Sequence, residues 1–329
     1  MLGQGTVPGV HWDSIAQNAP WSRDSLRAIG EYVRSTGSGA VMVVDDGRVV
    51  AAWGEPARRF PLASVRKSLL HALLGTELAR GTLSTSATLA QLGIDDEPPL
   101  TSAERSAHLS DLLASRSGIY HASAFEPSSM RSNRPARGSA APGERWFYNN
   151  WDFNALGTIF EHASGRKIFD AFGERIARPL EMEDYSASDG EYQLEPVSRH
   201  AAYLFRMSAR DLARFGVLYM RRGAWGSAQL LPQEWVAAGV QAQSDAGTAG
   251  AYGQLWWVAR DGMLVPGVLV DSGAFAARGA GPHYLIVIPT RRLVIVHLTD
   301  TDTPSPEKYV SRDAVGTMVK RILAARRPG

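Results

Sequence analysis

Ser64 and Lys67, in the run Ala63-Ser64-Val65-Arg66-Lys67-Ser68, are the residue types and the spacing that a nucleophile and its base require. Three residues apart on a helix places them on one face, one turn from each other, so the amine can reach the hydroxyl. Pro61-Leu62-Ala63 gives way here to a strongly helical run, so Ser64 is expected at or near a helix N-terminus. Free backbone N–H groups and the positive end of the helix dipole favour a negative oxygen there. To act as base the amine must be neutral, which calls for burial or a nearby cation to lower a pKa that is ordinarily ~10.4. Only four of the chain's 35 basic residues are lysines, at 67, 167, 308 and 320. Arginine cannot give up its proton in a protein and a buried lysine can, so a lysine at 67 invites a chemical reading. Taken alone, the four residues also suit a helix cap followed by a solvated lysine, and other segments must decide.

Further along, Pro142-Gly143-Glu144 leads through Arg145-Trp146-Phe147 into Tyr148-Asn149-Asn150. Ser-x-x-Lys followed about eighty residues later by Tyr-x-Asn, with Pro-Gly-Glu before it and Ala155-Leu156-Gly157 after it, resembles the serine β-lactamase and penicillin-binding-protein superfamily. The likeness is greatest to the branch of class C β-lactamases, D-alanyl carboxypeptidases and esterases. Leu112-Leu113-Ala114-Ser115-Arg116-Ser117-Gly118-Ile119 looks like that branch's Leu-Leu-x-x-x-Ser-Gly stretch, and Met207 to Gly216 like its Ser-x-x-Asp-Leu-x-x-Phe-Gly helix. The match runs from about Gly39 to Leu298.

The resemblance implies an acyl-enzyme hydrolase with Ser64 as nucleophile, Lys67 as its base and Tyr148 as a proton carrier whose phenolate the neighbouring lysine favours. It implies that the Asn150 amide contacts Lys67 or the substrate. On the strand beside the site, the family's Lys-Thr-Gly falls on Ala277-Arg278-Gly279, so the usual basic residue is missing. Gly279 would admit a substrate close to the strand, and the N–H of Ala280 would join that of Ser64 as an oxyanion donor. Arg278 is expected at the surface. Triplets without the basic residue occur among the esterases and 6-aminohexanoate-dimer hydrolases, which directs the expectation to an ester or a linear amide. A β-lactamase, a D-alanyl-D-alanine carboxypeptidase, an acyltransferase and a non-catalytic binding homologue are the alternatives. Trp146, Trp151, Trp256 and Trp257 are read as core aromatics that could also wall an acyl pocket. His121 and His283 are left out of the catalytic set.

These residues need a frame. Gly39 to Val44 and Arg48 to Trp53 flank Asp45-Asp46-Gly47, a hairpin signal. Short apolar runs at Leu255 to Val258, Val268 to Val270, Tyr284 to Ile288 and Leu293 to Leu298 read as strands. A polar helix candidate covers Ser22–Ser35, apolar residues three and four apart predict helices over Val65–Arg80, Ala107–Ala114, Asn150–Ser164, Ile168–Ile176 and Ser208–Arg222, and a final helix is expected over Tyr309–Ala324. Pro127 to Pro142 reads as a loop, and loops at Phe125–Pro142 and Gln241–Ala251 are expected to shape the pocket. Consecutive strands joined by hairpins favour an antiparallel sheet. The expectation is an α+β, beta-lactamase-like fold: an antiparallel sheet from both chain ends, flanked by helices, with a mostly helical inserted lobe. One catalytic unit spans 1–329, divided into an α/β lobe of about 1–80 and 205–329 and a helical lobe of about 81–204.

Formal net charge is +2, 44% of residues are hydrophobic, and no segment gathers five or six like charges, so neither nucleic acid nor a membrane surface is expected as partner. A small-molecule ester or amide is. Cysteine is absent, excluding a thiol nucleophile and thiolate metal sites, and the chemistry calls for no cofactor or metal. Met1 to Pro8 lacks the charged start and apolar run of an export signal, so a cytoplasmic location is expected. Oligomeric state is not legible.

Overall fold

The computed structural model describes residues 6–303 and 309–327. Met1 to Gly5, part of the segment read above for an export signal, lie outside the described residues.

Strands β1 (Ala40–Asp45) and β2 (Arg48–Gly54) form the predicted hairpin, turning over Asp46 and Gly47 at φ +49° and +79°. Both values lie in the left-handed region that Asp and Gly tolerate. The remaining strands of the main sheet come from the other end of the chain: β3 (Ser244–Asp245), β4 (Ala251–Tyr252), β5 (Trp257–Val258), β6 (Phe275–Gly279), β7 (His283–Ile288) and β8 (Leu293–Leu298). Their order is β2-β1-β8-β7-β6-β5-β4-β3, with every neighbouring pair antiparallel. β1 pairs with β8, so Ala40 lies opposite Leu298 and the two chain ends close one sheet, as expected.

Successive side chains on these strands point to opposite faces. Val41, Val43, Tyr284, Ile286 and Ile295 face a core shared with helices α1 (Arg23–Ser35) and, at the chain's end, Arg312–Ala325. Met42, Val44, Ala277, Leu285 and Val294 face a larger core that contains α2 (Arg66–Arg80), α3 (Asn150–Ser164) and α4 (Ala209–Met220). α2 is buried from Arg66 to Glu77 without a break, so it is a central helix packed on all sides. α4 lies close on the sheet because Gly216 has no Cβ; one placed there would come within 2.7 Å of Val294 and Leu285. Ser208 caps α4, accepting the Asp211 N–H at 3.2 Å.

Three expectations are corrected. Of Leu255 to Val258 only Trp257–Val258 is strand, because Leu255 takes φ +61° and gives its carbonyl to the Ser68 hydroxyl. Val268–Leu269 pairs with Met263–Val265 in a separate hairpin outside the main sheet. Within Pro127 to Pro142, read as loop, Ser128–Asn133 is helical and buries Met130. Among the described residues no helix is long and apolar enough to cross a membrane.

Candidate active site

Ser64 sits on a forced turn. Phe60–Pro61 pairs with Arg206–Met207, and the Leu62 N–H donates to the Phe205 carbonyl at 2.9 Å. Ala63 then takes φ +45°, a conformation costly for a residue with a Cβ, and the chain passes through a 3-10 turn, Ala63–Val65, into α2. Lys67 follows in the first turn of α2, hydrogen-bonded to the Ser64 oxygen with Nζ and Oγ 2.6 Å apart. The lysine is 2% exposed. Its amine lies 4.7 Å from the centre of the Phe153 ring and 5.0 Å from that of Tyr148. Burial, and secondly the charge of Arg66, push its pKa well below the ordinary lysine value. Burial and a nearby cation, either of which favours a neutral amine, are both present at Lys67.

Tyr148 is positioned from below by the Leu-Leu-x-x-x-Ser-Gly stretch. The Ser115 hydroxyl donates to the Phe147 carbonyl at 2.7 Å, and the Phe147 N–H donates to the Ser115 carbonyl at 3.0 Å. Asn149 is the N-cap of α3, accepting the Trp151 N–H at 3.1 Å, while its amide donates to Ile119 at 2.6 Å. The phenol is thus held just ahead of a capped helix, ringed by Phe153, Tyr252 and Trp257. Burial pushes it up to about 12, against smaller opposing effects from a hydrogen bond to Ser64 and the charges of Arg66 and Arg278. This corrects the expectation of a phenolate. Burial and Arg66 push the Lys67 amine toward neutrality as well, so the lysine favours a phenolate less than a fixed charge would.

The other candidates divide. Asn150 does not bond Lys67: its amide donates to the Phe125 carbonyl at 2.7 Å, and its Oδ1 is buried without a partner. One turn on, Asn154 donates to the Ala124 carbonyl at 3.0 Å, so the two asparagines together hold the 124–125 segment. Gly279 ends β6 against the turn that carries Ser64, and Ala280 follows it, exposed. Ala277 is buried in the core at 1% exposure. Arg278 is not a surface residue: its guanidinium lies 4.7 Å over the Trp257 ring, donates to the Ala249 carbonyl at 2.9 Å, and buries an unpartnered Nε. Burial lowers its pKa to about 10. The tryptophans also part company. Trp151 and Trp256 are wholly core, whereas Trp146 and Trp257 are half-buried in the aromatic group around Tyr148 and Tyr252.

Sequence reasoning did not single out Arg66, which is 0% exposed, or the supporting roles of Ser115, Asn149 and Asn154. The four-residue spacing of Asn150 and Asn154 was an available signal; the burial of Arg66 was not.

Comparison with known proteins gives a consistent picture. A family model described as Beta-lactamase matches residues 27–316. A D-aminopeptidase of Brucella anthropi is 28% identical over 183 residues, which take in 48% of this chain and only 34% of that relative's length. Among solved structures, a protein of Bacillus anthracis assigned as a 6-aminohexanoate-dimer hydrolase superposes with a TM-score of 0.70 at 19% identity, covering 99% of this chain and 91% of its own. A class C beta-lactamase superposes with a TM-score of 0.67 at 15% identity, covering 97% and 100%.

Proposed function

The chain belongs to the beta-lactamase family, and from that membership we propose a serine hydrolase that cleaves a linear amide or ester of a small molecule through an acyl-enzyme on Ser64. The observation that carries the reading is the 2.6 Å contact between the Ser64 hydroxyl and a buried Lys67 whose amine burial drives toward neutrality.

In this reading Lys67 Nζ takes the Ser64 proton as Oγ bonds to the carbonyl carbon. The developing oxyanion is held by the backbone N–H groups of Ser64, at the head of α2, and of Ala280, after β6. Tyr148 hands its proton to the leaving nitrogen or oxygen and recovers one from Lys67, which suits a phenol that stays protonated at neutral pH. Water then enters by the reverse relay and releases the acid. The site would lie between the sheet-bearing lobe of about 1–80 and 205–329 and the helical lobe of about 81–204.

Substrate class rests on Ala277 and on the relatives' names. A buried alanine stands where β-lactam-processing members carry a base. The D-aminopeptidase and the 6-aminohexanoate-dimer hydrolase are both named for cleaving linear amides.

A fluorophosphonate probe tests the nucleophile: it is expected to label the native chain and not Ser64→Ala, and undiminished labelling of the variant would sink the assignment. Rates on a panel of linear amides, p-nitrophenyl esters and a chromogenic cephalosporin test the substrate class. A cephalosporin hydrolysed well ahead of the esters would overturn it.

A further inference from the structure

We propose that Arg66 is a positioning residue for this chemistry, a permanently charged neighbour that keeps Lys67 in its neutral, proton-accepting form; the proposal rests on Lys67 being the base. Arg66 is 0% exposed, yet among the described residues no carboxylate pairs with it. One bond is made, from Nη2 to the Asn154 Oδ1 at 3.2 Å, and the guanidinium lies 4.5 Å over the Tyr203 ring. Nε and Nη1 are buried without partners. The Tyr203 hydroxyl donates to the Phe153 carbonyl at 3.2 Å, so the ring beneath Arg66 and the ring beneath Lys67 are tied to one turn of α3.

Two adjacent buried cations with no anion beside them cannot both be sustained, because each loses its hydration and they repel. Arginine does not surrender its proton in proteins, so the lysine does. The remaining titratable groups around the pair do not restore the balance. Burial holds the phenols of Tyr148, Tyr203 and Tyr252 protonated, and Arg278 on β6 adds positive charge. The Asp152 carboxyl on α3 is turned to Ser117 and Asn149 and is itself pushed upward by burial. Asn154 completes the device: it offers Arg66 a neutral oxygen, so the field of the guanidinium reaches Lys67 uncancelled.

With four lysines in the chain, carbon-13 labelling at lysine Cε gives four titrating NMR signals, and Lys67→Arg identifies the one that matters. The titration is run in the Ser64→Ala background, where turnover plays no part. Arg66→Gln, which keeps a donor for Asn154, is expected to raise the Lys67 midpoint by at least one pH unit, a tenfold smaller neutral fraction. Arg66→Lys should raise it too, because a lysine at 66 can give up the proton that arginine keeps, and in active protein the acid limb of kcat/KM should move with the midpoint. A native Lys67 midpoint near the ordinary lysine value would refute the lysine base itself. A low native midpoint that Arg66→Gln leaves in place would overturn only the role of Arg66. If Arg66→Gln does not fold, Asn154→Asp supplies the missing anion nearly isosterically; an upward shift supports the proposal and an unmoved signal overturns it.

Discussion

Gly279 and Leu62 are in contact with no space between them: a Cβ on Gly279 would lie 2.5 Å from the Leu62 carbonyl oxygen. Real Cβ atoms do not approach backbone so closely. The glycine that sequence reasoning assigned to substrate approach therefore also seats β6 against the turn that presents Ser64. Gly279→Ala must push the strand and the turn apart, and displacement by about 1 Å can cost ~100-fold in rate. The expected outcome is a fall of that order in fluorophosphonate labelling rate with the circular-dichroism spectrum preserved. Native labelling kinetics would show that β6 does not set the turn.

Activity should rise with pH and then stay flat. Lys67 accepts a proton only when neutral, and its pKa is pushed down by burial and by Arg66, so kcat/KM is lost as pH falls through the lowered value. Tyr148 is needed protonated and titrates at about 12, so no loss attributable to it is expected below roughly pH 10. A pH profile with a basic limb near neutrality would contradict the neutral phenol.

Lys67 costs the fold stability at neutral pH. Its folded pKa lies below the unfolded one, so between the two the unfolded chain binds a proton that the folded chain does not, and stability from this residue grows as pH rises. Lys67→Met should abolish turnover and raise Tm by roughly 2–4 °C at pH 7, a gain of about 1 kcal/mol. The gain should shrink toward pH 9.5. Differential scanning at the two pH values reads it, and a lowered Tm at pH 7 would count against an uncompensated buried amine.

Tyr148→Phe tests the relay. Loss of a general acid typically costs 10²–10⁴-fold, and the loss should be greater for an alkyl amide than for a p-nitrophenyl ester, whose leaving group needs no proton. Equal losses on both substrates would point to a packing defect.

Ser115→Ala tests the buttress. The Ser115 hydroxyl is donor to the Phe147 carbonyl and acceptor for the Asn149 N–H, and its removal leaves two buried backbone groups unmatched. A destabilisation of about 1–3 kcal/mol is expected in urea unfolding, with kcat reduced more than KM because Tyr148 loses its seat.

Where local chemistry decides, the fold was legible. The starts of α1 and α3 are marked by capping side chains at Ser22 and Asn149, and the first hairpin by Asp46-Gly47. Strand limits near Leu255 were not, because a long-range bond from the Ser68 hydroxyl to its carbonyl overrides an apolar run. At the site, Ser64, Lys67 and Tyr148 come together, since helix spacing and motif order encode them. The orientation of Asn150 and the burial of Arg66 and Arg278 depend on packing between elements distant in sequence, and a pattern of residue types carries no record of that.

The pairing of β1 with β8 bears on when the protein can work. Ala40 meets its partner Leu298, and Gly279 meets Leu62, only after the long stretch between them has been synthesised. Closing so long a loop is slow. A nascent chain emerging from the ribosome would thus carry its nucleophile early but remain inert until the last strands arrive, with the apolar inner edge of β1 uncovered in the meantime and in need of protection from aggregation.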